Sequence, residues 1–472
     1  MTQLTAEFVL NSDNSVRKLA KLPHDADLKT LRRCAKNKFP RIKVRKFFSG
    51  DGVALFNTNW PDIRDSHVRA GSKLRVVLST GAAFNGTRTT HENVETRVSA
   101  AEDLETIDGS MLEGGGQILR NSASLSALTR RNIEIVQVRA KRNRPGLKPQ
   151  HLCGIRLVAK LANLDLAGDA VNSMRVALLP QTTSLSNQDF FEADIRSAGS
   201  ICLLLQAALP VLALRRPCVP QKCSLKGGTN ASHAPQIDYF INVLTPTLQR
   251  LFGLRMETEV VKRGFFPRGG GQVDVTVHPV SGPLPCFDLT ERGTVQRIDG
   301  FVIAGGRINE SRAMQARKAA LGELRDVLRS RQRNDPIDVD VQVRIDTSSL
   351  STGMGVVLIA KTDTGALIAG SSISGKNEDF TAVGRRAGRD MLKQLYAGGC
   401  VDEHLQDQLI IFMALAQGTS RMRCGPIELH TTTAMRIAET LTGATFEIEQ
   451  DNDTSVIVCH GVGFVNPIEP PP

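Results

Sequence analysis

The chain has 472 residues and a mass of 51.3 kDa, a length typical of two to four domains of about 100–200 residues each. Hydrophobic residues make up 41% and charged residues 23%, which excludes a largely disordered chain, a collagen-like repeat and a coiled-coil rod. Aromatic residues make up only 4%, which argues against a single-strand binder that stacks bases mainly on aromatic side chains.

The net charge of +11 is concentrated near the N-terminus. Residues 1–80 hold 16 Lys and Arg against 7 Asp and Glu, whereas the rest of the chain holds 43 against 41. A cationic segment of this kind suits a nucleic acid, an anionic surface or an acidic protein partner. A solvated basic face without a partner is an equally good interpretation of the charge alone.

The nine cysteines are odd in number and lack C-x-x-C spacing, so the sequence predicts neither a disulfide framework nor a zinc site. The first residues contain no basic segment followed by an apolar one, and no run of about 18 apolar residues occurs. We therefore expect a soluble protein of a reducing intracellular compartment, with no membrane partner.

The first predicted elements are two strands at residues 4–10 and 16–22, followed by a basic helix at residues 26–39. Further strands are predicted at residues 43–48, 53–56 and 73–78. This order resembles that of a β-grasp, ubiquitin-like module, in topology only. Because no cluster of titratable residues stands out in residues 1–80, we expect this module to bind a partner rather than to catalyse a reaction.

Residues 81–104 are rich in Thr, Gly, Asn and Glu and are predicted to be a linker. From residue 105 helices and strands alternate, as in α/β or α+β proteins. The first part of this body, residues 105–291, contains predicted helices at 118–128, 151–161 and 236–252, and predicted strands at 133–139, 191–195 and 255–261. The apolar segment at 200–214 is predicted to be a helix or a passage from helix to strand near Pro210.

Residues 292–395 are predicted to form a small inserted domain, with helices at 310–331 and 382–395 and strands at 341–345 and 355–359. Residues 396–465 then return to the body, and residues 466–472 form a short tail that ends in three prolines.

A short glycine motif occurs twice in the body. Glu113-Gly-Gly-Gly-Gln117 recurs as Arg268-Gly-Gly-Gly-Gln272, which predicts a duplicated folding unit.

The first of these motifs precedes a predicted helix. Its glycines let the backbone approach a phosphate and direct N–H groups at it, and Glu113 could hold a divalent cation there. A tight turn with a solvated glutamate is the simpler alternative for this motif alone.

A basic loop between a predicted strand and a predicted helix carries Arg139, Lys141, Arg142, Arg144 and Lys148. Guanidinium groups bind phosphate oxygens in pairs, and the prolines of this loop limit its freedom. The loop is therefore a candidate phosphate clamp, with a solvated basic loop as the alternative.

Two further segments are candidates for binding or catalysis. Residues 226–238 form a Gly-rich segment ahead of a predicted helix and could contact a base or ribose, or could be only a structural turn. His430 lies at the predicted junction of a strand and a helix capped by threonine, where its neutral imidazole could act as a nucleophile. An isolated histidine is more often structural or simply exposed.

Taken together, these segments resemble the RNA 3′-terminal phosphate cyclase family, most closely its eukaryotic members. The motifs that carry the resemblance span about residues 107–465 and occur in the family's order. They are Asp108-Gly-Ser, Glu113-Gly-Gly-Gly-Gln-Ile-Leu-Arg120, Arg144-Pro-Gly-Leu-Lys-Pro-Gln-His-Leu152, Ala198-Gly-Ser-Ile-Cys-Leu-Leu-Leu-Gln206, Lys226-Gly-Gly-Thr-Asn230, Pro267-Arg-Gly-Gly-Gly271, Asp402-Glu-His-Leu-Gln-Asp-Gln408 and Leu429-His430-Thr431.

The resemblance implies an α+β fold: a cyclase body of repeated units, each with a four-stranded sheet and two helices, and a small thioredoxin-like insert. It also implies an activity. Family members use ATP and a divalent metal, Mg or Mn, to convert an RNA 3′-phosphate into a 2′,3′-cyclic phosphate. The reaction passes through a covalent histidine-AMP and an RNA adenylate.

Roles for individual residues follow from the same resemblance. His430 would be the nucleophile and Glu113 the metal ligand. The nucleotide would contact Gln206, Ala234, Pro235, His404, Asp407 and Gln408. The RNA or phosphate oxygens would contact Arg120, Arg139, Arg142, Arg144, Gln150 and His151.

The chain departs from the family pattern at a few positions. Lys141 stands where the family usually has Gly, and His404 stands where it usually has Tyr, which puts a ring contact to the nucleotide in question. Ser232 and His233 replace the Glu and Met that are more common in eukaryotic members.

Two other functions stay open at this point. One is a non-catalytic cyclase-like ribosome-biogenesis factor, which would lack the nucleophilic histidine. The other makes the N-terminal module an adapter that docks the chain onto a protein or ribonucleoprotein. The resemblance suggests residence in the nucleus, with the cytoplasm also permitted.

Overall fold

The computed structural model describes residues 103–181, 188–215, 218–325, 337–451 and 453–466, together with four strands near the N-terminus. The chain divides into two compact units, Met1–Thr96 and Arg97–Pro472.

The N-terminal unit contains one four-stranded sheet. Its strands are β1 (Leu4–Leu10), β2 (Asp13–Leu22), β3 (Lys46–Ser49) and β4 (Leu74–Ser79). Their order in the sheet is β2-β1-β4-β3, with β1 and β4 parallel and the outer pairs antiparallel. The predicted helix at residues 26–39 and the predicted strand at 53–56 lie outside the described residues, so the β-grasp assignment stays a prediction.

The large unit begins with a repeat whose order is strand, helix, strand, helix, strand, strand. Its elements are β5 (Glu105–Asp108), α1 (Gly116–Thr129), β6 (Ile133–Val136), α2 (Pro149–Ala162), β7 (Leu164–Ala167) and β8 (Val176–Pro180). The sheet order is β5-β6-β8-β7, in which β5 and β6 are parallel and the other neighbours antiparallel.

The second repeat has the same topology. It contains β9 (Phe190–Asp194), α3 (Ile201–Ala213), β10 (Gln221–Gly227), α4, β11 (Arg255–Lys262) and β12 (Gly271–His278). Helix α4 consists of a short turn Ile237–Tyr239, a π-helical segment Phe240–Leu244 and the segment Thr245–Phe252. The sheet order is β11-β12-β10-β9, in which β9 and β10 are parallel and the other neighbours antiparallel.

The third repeat is interrupted by the insert. Its elements are β13 (Asp288–Leu289), α7 (Glu403–Leu415), β18 (Gln417–Cys424), α8 (Leu429–Thr442), β19 (Thr445–Asp451) and β20 (Thr454–Val462). The sheet order β13-β18-β20-β19 matches the other two repeats. The prediction of repeated units with a four-stranded sheet and two helices is therefore confirmed.

The two glycine motifs do not mark this repeat. Glu113–Gln117 lies between the first strand and first helix of repeat one, whereas Arg268–Gln272 lies between the last two strands of repeat two. The prediction of a duplicated unit is correct, but the recurrence of the glycine motif does not support it, because the two motifs occupy different turns of their repeats.

The insert is a small α/β layer with its own core. Its elements are β14 (Val295–Gly305), α5 (Glu310–Glu323), β15 (Asp338–Asp346), β16 (Gly353–Thr362), β17 (Leu367–Ile373) and α6 (Phe380–Tyr396). The sheet order is β15-β14-β16-β17, with β14 and β15 parallel. Its thioredoxin-like character stays a prediction.

Phe265 attaches the insert to repeat two. This ring is 2% exposed, and a Cβ atom added at Gly353 or Gly305 would come within 2.5 or 2.6 Å of it. The ends of β14 and β16 therefore need glycine to accommodate the ring. A second attachment is Gln236, whose amide donates hydrogen bonds to the carbonyls of Val356 and Ser372 at 3.1 and 3.0 Å.

Helices of the three repeats pack on each other around the main apolar core. Helix α1 contacts α2, α3 and α8, and α8 also contacts α7. The N-termini of α1 and α8 lie in this layer of helices, where the candidate site is found. None of the helices in the described ranges is both long and apolar enough to cross a bilayer.

Candidate active site

His430 is the second residue of α8. The N-cap of this helix is Glu428, and its side chain makes no capping hydrogen bond. The expectation that a threonine caps the helix was wrong, because Thr431, Thr432 and Thr433 all lie inside its first turns. The backbone N–H groups at a helix N-terminus lack partners within the helix, so His430 lies at the positive end of α8.

The imidazole of His430 is surrounded by charged groups from α1, α7 and the basic loop. Partial burial lowers its pKa from the usual 6.5; Asp407 opposes this shift, while Arg120, Arg142 and His404 add to it. The ring is therefore mainly neutral at pH 7, as a nucleophilic nitrogen requires.

Asp407 is the carboxylate of this group. Burial raises its pKa to about 6, and electrostatic interactions with His404, His430 and Arg120 oppose the rise. Its helix, α7, begins at a well-bonded N-cap: Asp402 accepts hydrogen bonds from the N–H groups of His404 and Leu405 at 3.0 and 2.9 Å. The charged residues of α7 are thus held at a fixed helix start.

Glu113 connects the glycine loop to two other segments. Its carboxylate forms an ion pair with Arg142, whose guanidinium also donates to the carbonyl of Glu113 at 2.9 Å. The N–H of Glu113 donates to the hydroxyl of Thr433 on α8 at 3.3 Å. The loop is therefore fixed between the basic loop and the helix of His430.

A glycine leaves room for two side chains where this loop enters α1. A Cβ atom on Gly116 would lie 2.7 Å from a guanidinium nitrogen of Arg120 and 2.9 Å from Nε2 of His151. The absence of a side chain at this position lets both residues approach the start of α1.

Three buried polar atoms near this loop have no hydrogen-bond partner among the described residues: Oε2 of Glu113, Nε2 of Gln117 and Nε of Arg120. The other end of Gln117 accepts from Arg120 at 2.6 Å and from Gln206 at 3.4 Å. An unpartnered buried polar atom costs about 1–3 kcal/mol, so three together indicate a place for a polar ligand. Sequence analysis did not select Gln117, although it lies in the Glu113 motif.

The arginines of the basic loop differ in what they bind. Arg139 donates to the carbonyls of Arg144 and Gly146 at 2.7 and 3.0 Å, so it stabilises the loop itself. Arg142 pairs with Glu113. Arg144 is exposed, as is Lys141.

His151 and Gln150 follow at the start of α2. Burial lowers the pKa of His151 to about 3, and Arg120, Arg139 and Lys148 add to the shift, so its ring is neutral. Nδ1 of His151 accepts from the N–H of Lys148 at 3.3 Å. Gln150 accepts from the N–H of Ser200 at 2.6 Å, which links it to the N-cap of α3.

Two small cavities lie beside these side chains. One is lined by Arg120, Gln150 and His151 together with apolar residues of α1, α2 and α3. The other is lined in part by Gln206, Asp407 and Gln408. The structure thus brings together residues that are far apart in the sequence and that were selected for phosphate and nucleotide contacts.

Most of this chain is similar in sequence to known proteins. The family model described as "RNA 3'-terminal phosphate cyclase" matches residues 111–448. A protein of Dictyostelium discoideum named "Probable RNA 3'-terminal phosphate cyclase" is 38% identical, over 76% of this chain and 83% of its own. Proteins named "RNA 3'-terminal phosphate cyclase" in Drosophila melanogaster and Pyrobaculum aerophilum are 35% and 37% identical, over 78% and 76% of this chain and 99% and 98% of theirs.

The chain belongs to the RNA 3′-terminal phosphate cyclase family. All of the candidate residues, from Glu113 to His430, lie inside the span that matches the family. The N-terminal unit, Met1–Thr96, lies outside it.

The departures from the cyclase family pattern can now be located. The ring of His404 packs edge-on against Tyr239 with 5.6 Å between centroids, so it has a ring partner within the protein. Ala234 and Pro235 are half-buried in the segment that joins β10 to α4, ahead of the same Tyr239. Lys141 extends from the exposed surface of the basic loop.

A divalent metal, which the cyclase family implies, needs oxygen or nitrogen donors from the protein or its substrate. In the described part of the chain no three His, Cys, Asp or Glu residues are grouped closely enough to hold a metal ion. Mg²⁺ is commonly bound by one or two carboxylates plus substrate phosphates. The unpartnered Oε2 of Glu113 fits a site of that kind.

Proposed function

We propose that this chain catalyses the ATP-dependent conversion of an RNA 3′-phosphate into a 2′,3′-cyclic phosphate. Membership of the cyclase family supports the reaction class. The observation that carries the proposal is the neutral imidazole of His430 at the start of α8, within electrostatic range of Arg120 and Arg142. A neutral ring nitrogen beside fixed cations suits attack on a phosphorus atom whose oxygens are negatively charged.

In the first step a ring nitrogen of His430 attacks the α-phosphorus of ATP. A P–N bond forms, the bond to the β-phosphate oxygen breaks, and pyrophosphate leaves. The guanidinium groups of Arg120 and Arg142 would neutralise the charge that develops on the phosphate oxygens. A metal ion at Glu113 would supply further charge neutralisation on the triphosphate.

In the second step an oxygen of the RNA 3′-phosphate attacks the adenylate, and His430 leaves with its electron pair restored. In the third step the 2′-hydroxyl attacks the activated phosphorus, and AMP leaves. This step is intramolecular, and its fixed geometry supplies much of the rate.

The remaining candidates are assigned to binding. Gln206, Asp407 and Gln408, which line one cavity, would contact the nucleotide together with His404, Ala234 and Pro235. Arg120, Gln150 and His151, which line the other, would contact phosphate oxygens. Arg139 would act by ordering the basic loop, and Arg144 by binding RNA phosphate directly.

The test uses the full chain with ATP, Mg²⁺ or Mn²⁺ and an oligoribonucleotide that ends in a 3′-phosphate. We expect a terminal phosphate that resists phosphatase, and an acid-labile label on the protein from α-³²P ATP. His430→Ala should give neither product. A folded wild-type chain that neither labels nor cyclises would support a non-catalytic scaffold instead.

We further propose that the N-terminal unit is a ubiquitin-like docking module for a protein or ribonucleoprotein partner in the nucleus. Its support is the basic charge of residues 1–80, the mixed four-stranded sheet, and its position outside the family match. Deleting residues 1–96 should preserve cyclisation and abolish partner binding and nuclear localisation. Loss of cyclisation in a folded deletion variant would contradict a separate docking role.

A further inference from the structure

Gln406, one residue before Asp407 on α7, makes three side-chain hydrogen bonds to the segment that carries His430. Its Oε1 accepts from the N–H of Glu428 at 3.0 Å and from the hydroxyl of Thr431. Its Nε2 donates to the carbonyl of Pro426 at 3.3 Å. The residue is 2% exposed, and Thr431 is fully buried, so water does not compete for these bonds.

These bonds replace a cap that α8 lacks. Glu428, the N-cap residue, offers no side-chain hydrogen bond to the first turn. The first N–H groups of a helix need partners from outside it, and ends without them fray. Gln406 supplies such a partner from a neighbouring helix for the N–H of the N-cap residue, Glu428. It also accepts a hydrogen bond from the side-chain hydroxyl of Thr431, the residue after His430.

The position of Gln406 on α7 adds a second consequence. The next residue, Asp407, acts electrostatically on the imidazole of His430. One short stretch of α7 therefore binds the chain on both sides of His430, through the N–H of Glu428 and the hydroxyl of Thr431. It also carries the carboxylate that interacts electrostatically with the imidazole.

We propose that Gln406 is a positioning residue that sets the location of the His430 imidazole for attack on a phosphorus atom. The proposal rests on the proposed function, because His430 is taken as the nucleophile. Gln406 touches neither the substrate nor the ring and acts through the first turn of α8.

The test compares Gln406→Met, which keeps the length and burial of the side chain and removes its hydrogen bonds, with Gln221→Met. Gln221 is 1% exposed, lies on β10 and donates to the carbonyl of Val219 at 3.0 Å. It therefore controls for the general effect of losing a buried glutamine.

We expect single-turnover labelling of His430 by α-³²P ATP to fall by about 10- to 100-fold in Gln406→Met, the loss that a misplacement of about 1 Å causes. The affinity for an unreactive α,β-methylene analogue of ATP should change by less than about 3-fold, since the binding residues are untouched. Gln221→Met should label at close to the wild-type rate. Equal labelling rates in the two variants, whether both high or both low, would overturn the proposal.

A second pair of variants covers the case in which Gln406→Met fails to fold. Thr431→Val removes the hydroxyl that donates to Gln406, and Thr431→Ser retains it. We expect Thr431→Val to label slowly and Thr431→Ser to approach the wild-type rate. Equal rates for the two would contradict the positioning role.

A measurement without ATP separates this proposal from the proposed function. Diethyl pyrocarbonate acylates neutral imidazole, and peptide mass spectrometry reports its rate at His430. The rate should rise in Gln406→Met, because a frayed first turn separates the ring from the neighbours that still cover part of it, and should stay unchanged in Gln221→Met. If the wild-type chain does not label with ATP, the proposed function fails, whereas an unchanged acylation rate in Gln406→Met refutes the positioning role alone.

Discussion

The hydroxyl of Thr433 on α8 accepts a hydrogen bond from the backbone N–H of Glu113, a residue 320 positions earlier in the chain. Glu113 belongs to repeat one, and Thr433 and His430 belong to repeat three. The same loop is held on its other side by Arg142. The proposed nucleophile and the proposed metal ligand are thus fixed relative to each other by contacts between two repeats of the same topology.

Replacing the nucleophile should remove activity without removing the fold. In His430→Ala we expect no detectable cyclisation, a loss of at least about 1,000-fold, since covalent catalysis has no substitute group here. The melting temperature should change little, because His430 is exposed at a helix end. Phosphatase protection of a labelled 3′-phosphorylated RNA measures the activity. Turnover that persists in this variant would eliminate His430 as the nucleophile.

The pH dependence of adenylylation should follow the lowered pKa of His430. The neutral form reacts, so the rate should hold as the pH falls to 6.5 and decline only below it. Asp407 favours the charged ring, so Asp407→Asn should move the midpoint to still lower pH, whatever its effect on the maximal rate. Rates of single-turnover labelling across pH 4.5–8 measure both midpoints. A wild-type midpoint above 6.5 would contradict the lowered pKa.

Glu113→Gln should weaken metal-dependent adenylylation more than RNA binding. We expect about a 100-fold lower rate at low Mg²⁺, with partial recovery at high Mg²⁺, because the carboxylate charge is lost while the size of the side chain is kept. RNA affinity should change by less than about 3-fold. The matched control is Glu439→Gln on the same helix as His430, which should behave as wild type. Equal losses of adenylylation and RNA binding would indicate that Glu113 is structural.

The arginines of the basic loop should differ in the salt dependence of RNA binding. Arg144 is exposed and can contact an RNA phosphate. Arg144→Ala should therefore reduce the slope of log affinity against log salt by about 0.7. Arg139→Ala should instead act by loosening the loop, since its guanidinium bonds the carbonyls of Arg144 and Gly146. Arg389→Ala, an exposed arginine of the insert, should leave the slope unchanged. An unaltered slope in Arg144→Ala would argue against a phosphate contact there.

The buried ion pair of Arg263 and Asp238 should be a major determinant of stability. The two side chains make paired hydrogen bonds at 2.5 and 2.8 Å and are almost fully buried. Asp238→Ala should lower the free energy of unfolding by about 3–5 kcal/mol, because it leaves a buried guanidinium without a counter-charge. Glu257→Ala, which breaks an exposed pair with Arg255, should cost less than about 1 kcal/mol. Urea denaturation measures both, and similar losses would refute the assignment.

Helices were predicted well from the sequence, and several strands were not. The apolar spacing in α1, α2 and α6 was sufficient to place them within a few residues. Strand β18, with the sequence QGTSRMRC, has few β-branched or aromatic residues, so the sequence predicts only a short strand of unstated bounds ahead of His430. It forms because its neighbours β13 and β20 bind both of its edges, a cause that a local pattern cannot reveal.

Some residues of the candidate site were predictable from the sequence and others were not. Residues with a motif, such as Glu113 and His430, were selected from the sequence through the resemblance to a family. Gln117, Gln406 and Thr433 were not selected, because their significance comes from partners distant in the chain or from an atom left unpartnered after folding. No spacing in the sequence reports either property.

The interrupted third repeat has a consequence for how the protein is made. Its first strand, β13, pairs with β18, and Asp288 lies opposite Arg421 in this pair. The sheet of this repeat therefore cannot form until residue 421 has been synthesised. During synthesis the insert emerges and can form its separate core before β18 leaves the ribosome. Helix α8 follows later still. The proposed nucleophile therefore emerges after every other proposed site residue, and a nascent chain stopped before residue 417 has no group that could activate a phosphate.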